Sequence, residues 1–213
     1  MKGELHLKSI SLLVCLIGMA VFLSVDIGVI ASEVVSECTG INACTKNTGT
    51  YGTGSCNGLK ACYGNTGSIG DFSCNGTEAC NKNTGNIGDN SCNHITSSTC
   101  RRNNGDIGNN SCNVGQEACE RNIGDIGDNS CTGAFQACFR SNGVIGDNSC
   151  TGYQSCLRKE GVVGKNSCTD EYSCYKSESI IGNGSCTASY SCRYSVSAFG
   201  DGKCTSANEC EGI

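Results

Sequence analysis

Cysteine is the residue whose number and spacing most clearly imply chemistry in this chain of 213 residues, which has 21 of them. Cys15 stands alone. The others fall into ten pairs: Cys38 with Cys44, Cys56 with Cys62, Cys74 with Cys80, Cys92 with Cys100, Cys112 with Cys119, Cys131 with Cys138, Cys150 with Cys156, Cys168 with Cys174, Cys186 with Cys192 and Cys204 with Cys210. The step within a pair is six to eight residues, and the step from one pair to the next is always twelve. Thiols so arranged could hold a metal or oxidise. Zinc sites favour ligands two to four residues apart and a reducing compartment, so disulfides are expected and no metal. Two symmetric pairings are open. Each pair could close on itself, or equivalent cysteines could join from one repeat to the next. Closure within the pair is favoured, because insertions such as the stretch between Cys92 and Cys100 fall between partners, where a turn would absorb them. No catalytic set accompanies the cysteines. The histidines are His6 and His94, and the many serines have no histidine beside them, so no enzyme and no cofactor are expected.

The compartment follows from the start of the chain. Lys2 and Lys8 precede an apolar run, Ile10 to Val25, and Val29-Ile30-Ala31 offers an exit. That is the layout of a cleaved secretory leader over residues 1–31, leaving a repeat domain over 32–213. As a helix the run would reach roughly 24 Å, short of the ~30 Å hydrocarbon core, so no stable membrane anchor is expected after cleavage. An even cysteine count behind a leader points to a secreted, extracellular protein with its thiols paired. The net charge of −5 carries no footprint of nucleic-acid binding.

The elements that must position the cysteines repeat with them. Seven residues after each second cysteine stands an apolar residue: Tyr51, Ile69, Ile87, Ile107, Ile126, Ile145, Val163, Ile181 and Phe199. Glycine follows every time, and the commonest phrase is Ile-Gly-Asp-Asn-Ser-Cys. Glycines punctuate every few residues, proline is absent, and no helical apolar period is sustained. Repeats of this length cannot bury one apolar residue alone but can bury a column of them when stacked. The expected fold is all-β: a disulfide-stapled β-solenoid, or β-helix, of about ten coils and roughly 48 Å long.

Three resemblances rest on these residues. Ile87-Gly88-Asp89-Asn90-Ser91-Cys92 resembles the hexapeptide repeat of left-handed β-helices. That family includes acyltransferases with a catalytic histidine, which this chain lacks. The Cys-x5-Cys pairs flanked by Ser, Thr or Asn resemble the coils of beetle antifreeze proteins, which implies a flat hydroxyl face for ice. The tandem phrase as a whole resembles secreted cysteine-repeat proteins of unknown function, from which no activity transfers.

Three ladders are candidate surfaces. If the leading cysteine points inward on a strand, its neighbours point outward, giving a face of Ser130, Thr132, Ser149, Thr151, Ser167, Thr169, Ser185 and Thr187. A basic edge follows the second cysteine by two residues: Lys82, Arg102, Arg121, Arg140, Arg158 and Lys176, with Lys46 before them. Stacked cations repel one another and would suit an anionic polymer. Asp71, Asp89, Asp128, Asp147 and Asp201 form an acidic row, better explained by turn formation than by calcium. The expected partner is therefore an extended surface or polymer: matrix, glycan or ice. The leading expectation is a secreted, non-enzymatic structural or surface-binding element of matrix or wall. Ice binding on the Ser/Thr/Asn face comes second and acidic-glycan binding on the basic edge third. Uncapped end repeats add an expectation of end-to-end self-association.

Overall fold

The computed structural model describes residues 38–213 and, before them, only the backbone pairing of two short strands. These are β1 (Leu12–Leu16) and β2 (Met19–Leu23), antiparallel, with Leu12 opposite Leu23. They belong to one unit, Met1–Val34, and the repeats form another, Val35–Ile213. The leader expected over 1–31 otherwise lies outside the described residues.

The backbone of the repeat unit is a succession of turns. In the coil from Cys74 to Ser91, the Ala79 N–H donates to Gly76 O (3.3 Å), Asn81 to Glu78 (3.2 Å) and Asn83 to Cys80 (3.1 Å). These are overlapping four-residue turns. Cys74, Glu78, Lys82 and Asn90 have φ of 59°, 51°, 56° and 52°, all in the left-handed region. Such a residue costs roughly 1–2 kcal/mol unless it is glycine. The cost is offset by where the turned peptide points. The N–H of Glu78 donates to Leu59 O, that of Lys82 to Tyr63 O and that of Asn90 to Asp71 O, each at 2.8 Å in the preceding coil. Cys74 donates the other way, to Ser91 O at 3.0 Å. Every corner thus becomes a hydrogen bond along the stack, contributing about 1 kcal/mol net and satisfying a backbone group that would otherwise be buried unpaired.

Extended pairing survives at single residues. Tyr51, Ile69, Ile87, Ile107, Ile126, Ile145, Val163, Ile181 and Phe199 are joined in order by isolated parallel bridges, and Gln116 bridges Phe135. Residues 38–213 contain no strand and no helix. The expected all-β solenoid is therefore corrected: the chain is a cysteine-rich tandem repeat with regular disulfide spacing, built from turns. A sheet needs consecutive residues in the extended region, and left-handed corners interrupt every short run between bridges. The resemblances to β-helical families fall with the sheet on which they depended.

The core has two columns. One is the Ile/Val column, with Ile145, Val163 and Ile181 only 1 % exposed. The other is the disulfides. All ten bridges close within their own coil, with Cα–Cα separations of 5.5–5.9 Å. Each closes a short loop and contributes about 2 kcal/mol by restricting the unfolded chain. Small residues sit before the second cysteine, at Ala43, Ala61, Ala79, Ala118 and Ala137, and leave room for the neighbouring bridge.

Sulfur atoms of successive bridges approach within 4.8 Å, as in Cys92, Cys100 and Cys112. They are disulfide sulfurs and not thiolates, so the approach is packing and not a ligand set. The approach is not uniform along the stack, as strictly identical coils would require. Among the described residues Cys38, Cys44, Cys56, Cys62, Cys138, Cys174 and Cys210 join no such group of three. Each is nevertheless bonded within its coil: Cys44 to Cys38, Cys62 to Cys56, Cys138 to Cys131, Cys174 to Cys168 and Cys210 to Cys204. The bond within the coil is therefore the constant feature. Cys44 and Cys210 belong to the first and last coils, each with a neighbour on one side only, and Cys210 is 9 % exposed where Cys62 is fully buried.

Candidate binding faces

The serines of the expected outer face are inside. Ser130, Ser149, Ser167 and Ser185 are fully buried, like the cysteines that follow them. Alternation of faces requires extended backbone, and the left-handed φ of Cys131, Cys150, Cys168 and Cys186 reverses the chain direction between Ser and Thr. Each hydroxyl is committed. Ser130 Oγ donates to Gly146 O (2.9 Å) and accepts from the Ser149 N–H (3.1 Å). Thr132, Thr151, Thr169 and Thr187 are half-buried, and Thr151 Oγ1 donates to Thr169 O at 3.2 Å. This column is a seam between coils rather than a free surface. A second buried ladder runs through asparagines: the Nδ2 group of Asn83 donates to Asn65 Oδ1 (2.9 Å) and to Gly85 O (2.6 Å), and Asn103 repeats the pattern.

The acidic row also serves the stack. Asp89 Oδ1 accepts the Asp71 N–H at 2.8 Å, Asn109 Oδ1 accepts that of Asp89, and Asp128 Oδ1 that of Asn109. Lys165 has no acceptor to offer at this corner. Its Nζ instead lies 2.8 Å from Asp147 Oδ2, and that hydrogen bond, aided by one from the Asp128 backbone, holds the Asp147 carboxyl below its ordinary range.

A genuinely outward face lies elsewhere. Four and six residues after the second cysteine, from Cys44 to Cys156, two exposed columns flank a glycine: Thr48 and Thr50, Thr66 and Ser68, Thr84 and Asn86. At Gly67 and Gly85 a side chain does not fit. A Cβ on Gly67 would stand 2.0 Å from the carbonyl oxygen of Gly85 in the next coil, and one on Gly85 as close to Gly105. With no side chain between them, the two columns rise from a level backbone. Farther along, the same columns carry Asp106 and Asp125, then exposed Val144, Val162 and Ile180. The sequence signal for this face was the phrase Thr-Gly-Thr, Thr-Gly-Ser, Thr-Gly-Asn, overshadowed by the cysteine-flanking residues.

The basic edge is a row of left-handed corners. Lys82, Arg102, Arg121, Arg140, Arg158 and Lys176 all have φ between 48° and 58°. Among the described residues only Arg121 of these six has an acidic partner, Glu120 at 3.5 Å, so the edge is not neutralised by the acidic row. Glu120 itself is buried and is held chiefly by Arg101 at 2.8 Å. Beside the edge, in the later coils, the fold gathers aromatic residues that are scattered in the sequence. Phe135 stacks on Tyr153 (5.7 Å), Tyr153 meets Tyr172 edge-on (5.5 Å), and Tyr172 stacks on Tyr190 (5.2 Å). Arg140 lies 5.0 Å over Phe139, and Lys176 lies 5.1 Å over Tyr175. Sequence reasoning missed these rings because they occupy several different positions of the repeat.

Turn-built coils, one bridge in each, and polar ladders between them define a cysteine-rich, disulfide-stapled tandem-repeat protein. The chain belongs to the family described as Domain of unknown function (DUF7640), whose model matches residues 15–136 and 134–213. No curated protein and no solved structure matches it.

Proposed function

We propose that the chain acts outside the cell as a non-catalytic, rigid element that binds an extended ordered surface, and that this surface is ice. The observation that carries the reading is the paired outward columns, Thr48 with Thr50, Thr66 with Ser68 and Thr84 with Asn86, on a backbone held level by glycine-to-carbonyl contacts. Stacked coils place equivalent side chains about 4.8 Å apart, the spacing of hydrogen-bonded backbones. Threonine is stiff at χ1, so hydroxyls and methyls in such an array lose little entropy when they organise water. The first three coils of this face carry no charge. The disulfide in every coil keeps the array from flexing.

The test is thermal hysteresis and inhibition of ice recrystallisation by the oxidised protein. Activity is expected, and the double variant Thr66→Lys/Thr84→Lys should lose it with the unfolding midpoint unchanged. Thr151→Leu, on the half-buried seam, should retain it. Oxidised, folded protein without hysteresis would overturn the reading.

A further inference from the structure

The rings and cations of the later coils enclose a groove that the ice reading does not use. Its volume is about 370 Å³, and Phe139, Leu157 and Tyr175 are among the residues that line it. These three occupy the same position in successive coils, directly after Cys138, Cys156 and Cys174. Leu157 is buried, 7 % exposed, in the coil between those of Phe139 and Tyr175. Arg158 and Lys176 also line the groove. Neither has an acidic partner within 4 Å among the described residues, while Arg193, one coil on, is paired with Glu211. Gln136 and Gln154 line it as well, with Gln154 Nε2 donating to Gln136 Oε1 at 3.1 Å.

We infer that this groove binds an acidic polysaccharide. Aromatic rings and an apolar side chain suit the C–H faces of a sugar ring, amides suit its hydroxyls, and cations without a carboxylate partner suit a carboxylate or sulfate on each residue of the polymer. The polymer continues past one groove, and so does the surface that receives it: Arg140 lies over Phe139 at one end, and Lys176 faces Tyr194 one coil after, at 5.8 Å. The repulsion of stacked cations is relieved when a polyanion lies along them.

The experiment is retention of the full oxidised chain on immobilised polygalacturonate, dextran sulfate and neutral dextran, read at low salt and again at 0.5 M, roughly a fourfold shortening of the screening length from 0.03 M. Retention on one or both acidic polymers and none on neutral dextran is expected; which acidic polymer is held more strongly identifies the acid group. Phe139→Ala and Tyr175→Ala should each weaken retention at least tenfold, and Arg158→Glu should abolish it, with all three keeping the unfolding midpoint within the range of Thr66→Lys/Thr84→Lys. Equal retention of the Tyr175→Ala variant, no retention on either acidic polymer, or tighter binding of an oligothymidylate would overturn the inference. Ice activity reads the other face: Tyr175→Ala should keep it, and Thr66→Lys/Thr84→Lys should keep polysaccharide retention, so the two readings fail separately.

Discussion

Lys159 Nζ donates to the carbonyl oxygen of Ser179 at 2.5 Å, in the column that Asn65, Asn83, Asn103 and Asn122 fill in earlier coils. It also donates to Glu160 O. The lysine is fully buried, and burial lowers its pKa from 10.5 to about 8. The unfolded chain therefore binds more protons than the folded one between pH 8 and 10.5. Stability should rise with pH across that window, because the cost of burying the cation is fully present below about pH 8 and is relieved above it. The shift corresponds to about 3 kcal/mol. Urea midpoints at about pH 7, 8 and 9.5 should climb for the oxidised protein and stay level for Lys159→Met. A wild-type midpoint that is flat over the same range would show the lysine to be hydrated.

The buried serine ladder makes an opposite kind of prediction. Ser130→Ala removes the acceptor of the buried Ser149 N–H and the donor to the half-buried Gly146 O. The loss should be about 2–3 kcal/mol by denaturant titration. Thr66→Ala, on the exposed face, should cost well under about 1 kcal/mol. If the two substitutions cost the same, the serines are not inside.

How far these features were legible depends on what each required. The column from Tyr51 to Phe199 could be read because a buried apolar residue recurring at a fixed step has few explanations, and it is where the coils bridge. The bridge from Cys92 to Cys100 could be read from the insertion between its partners, and the same closure holds for Cys44, Cys62 and Cys210, whose coils carry no insertion. The turn-built backbone could not, because its corners fall on Lys82, Glu78 and Arg102, residues that rarely adopt positive φ. Their left-handed geometry is imposed by hydrogen bonds to the next coil, a tertiary effect with no local sequence signal. The same corner at Cys131 turned Ser130 inward and defeated the alternation rule. The groove needed Phe139, Leu157 and Tyr175 to be aligned coil by coil, and the same position holds Asn81, Arg101, Glu120 and Arg193 in other coils, so it shows no apolar repeat.

Close approach of successive bridges makes single cysteine variants a special case. Cys100 and Cys112 have sulfurs within 4.8 Å, so Cys92→Ser leaves a thiol facing the neighbouring bridge from Cys112 to Cys119. Its thiolate can attack the sulfur of Cys112, forming a Cys100–Cys112 bond and releasing Cys119 as thiolate. Peptide mapping of Cys92→Ser should find both pairings, increasingly so above about pH 8. Cys92→Ser/Cys100→Ser should keep a single disulfide pattern and lose about 2–3 kcal/mol. A single native pattern in the Cys92→Ser protein would mean that the coils hold the sulfurs too rigidly for exchange.

The left-handed corners can be probed at the basic edge itself. Arg102 has φ of 56°, and the equivalent residue two coils earlier is Gly64 at 65°. Arg102→Gly relieves the backbone but gains freedom in the unfolded chain, two effects of about 1 kcal/mol that oppose each other. Its midpoint should stay near that of the wild type. Arg102→Val carries a β-branched side chain into the same geometry and keeps the Asn81 hydrogen bond only under strain, so it should be less stable than Arg102→Gly by about 1–2 kcal/mol. Paired denaturation curves of the two variants decide it. Equal stability would mean that the corner relaxes out of the left-handed region when arginine is replaced, and that the hydrogen bonds along the stack, rather than the conformation itself, are what each coil preserves.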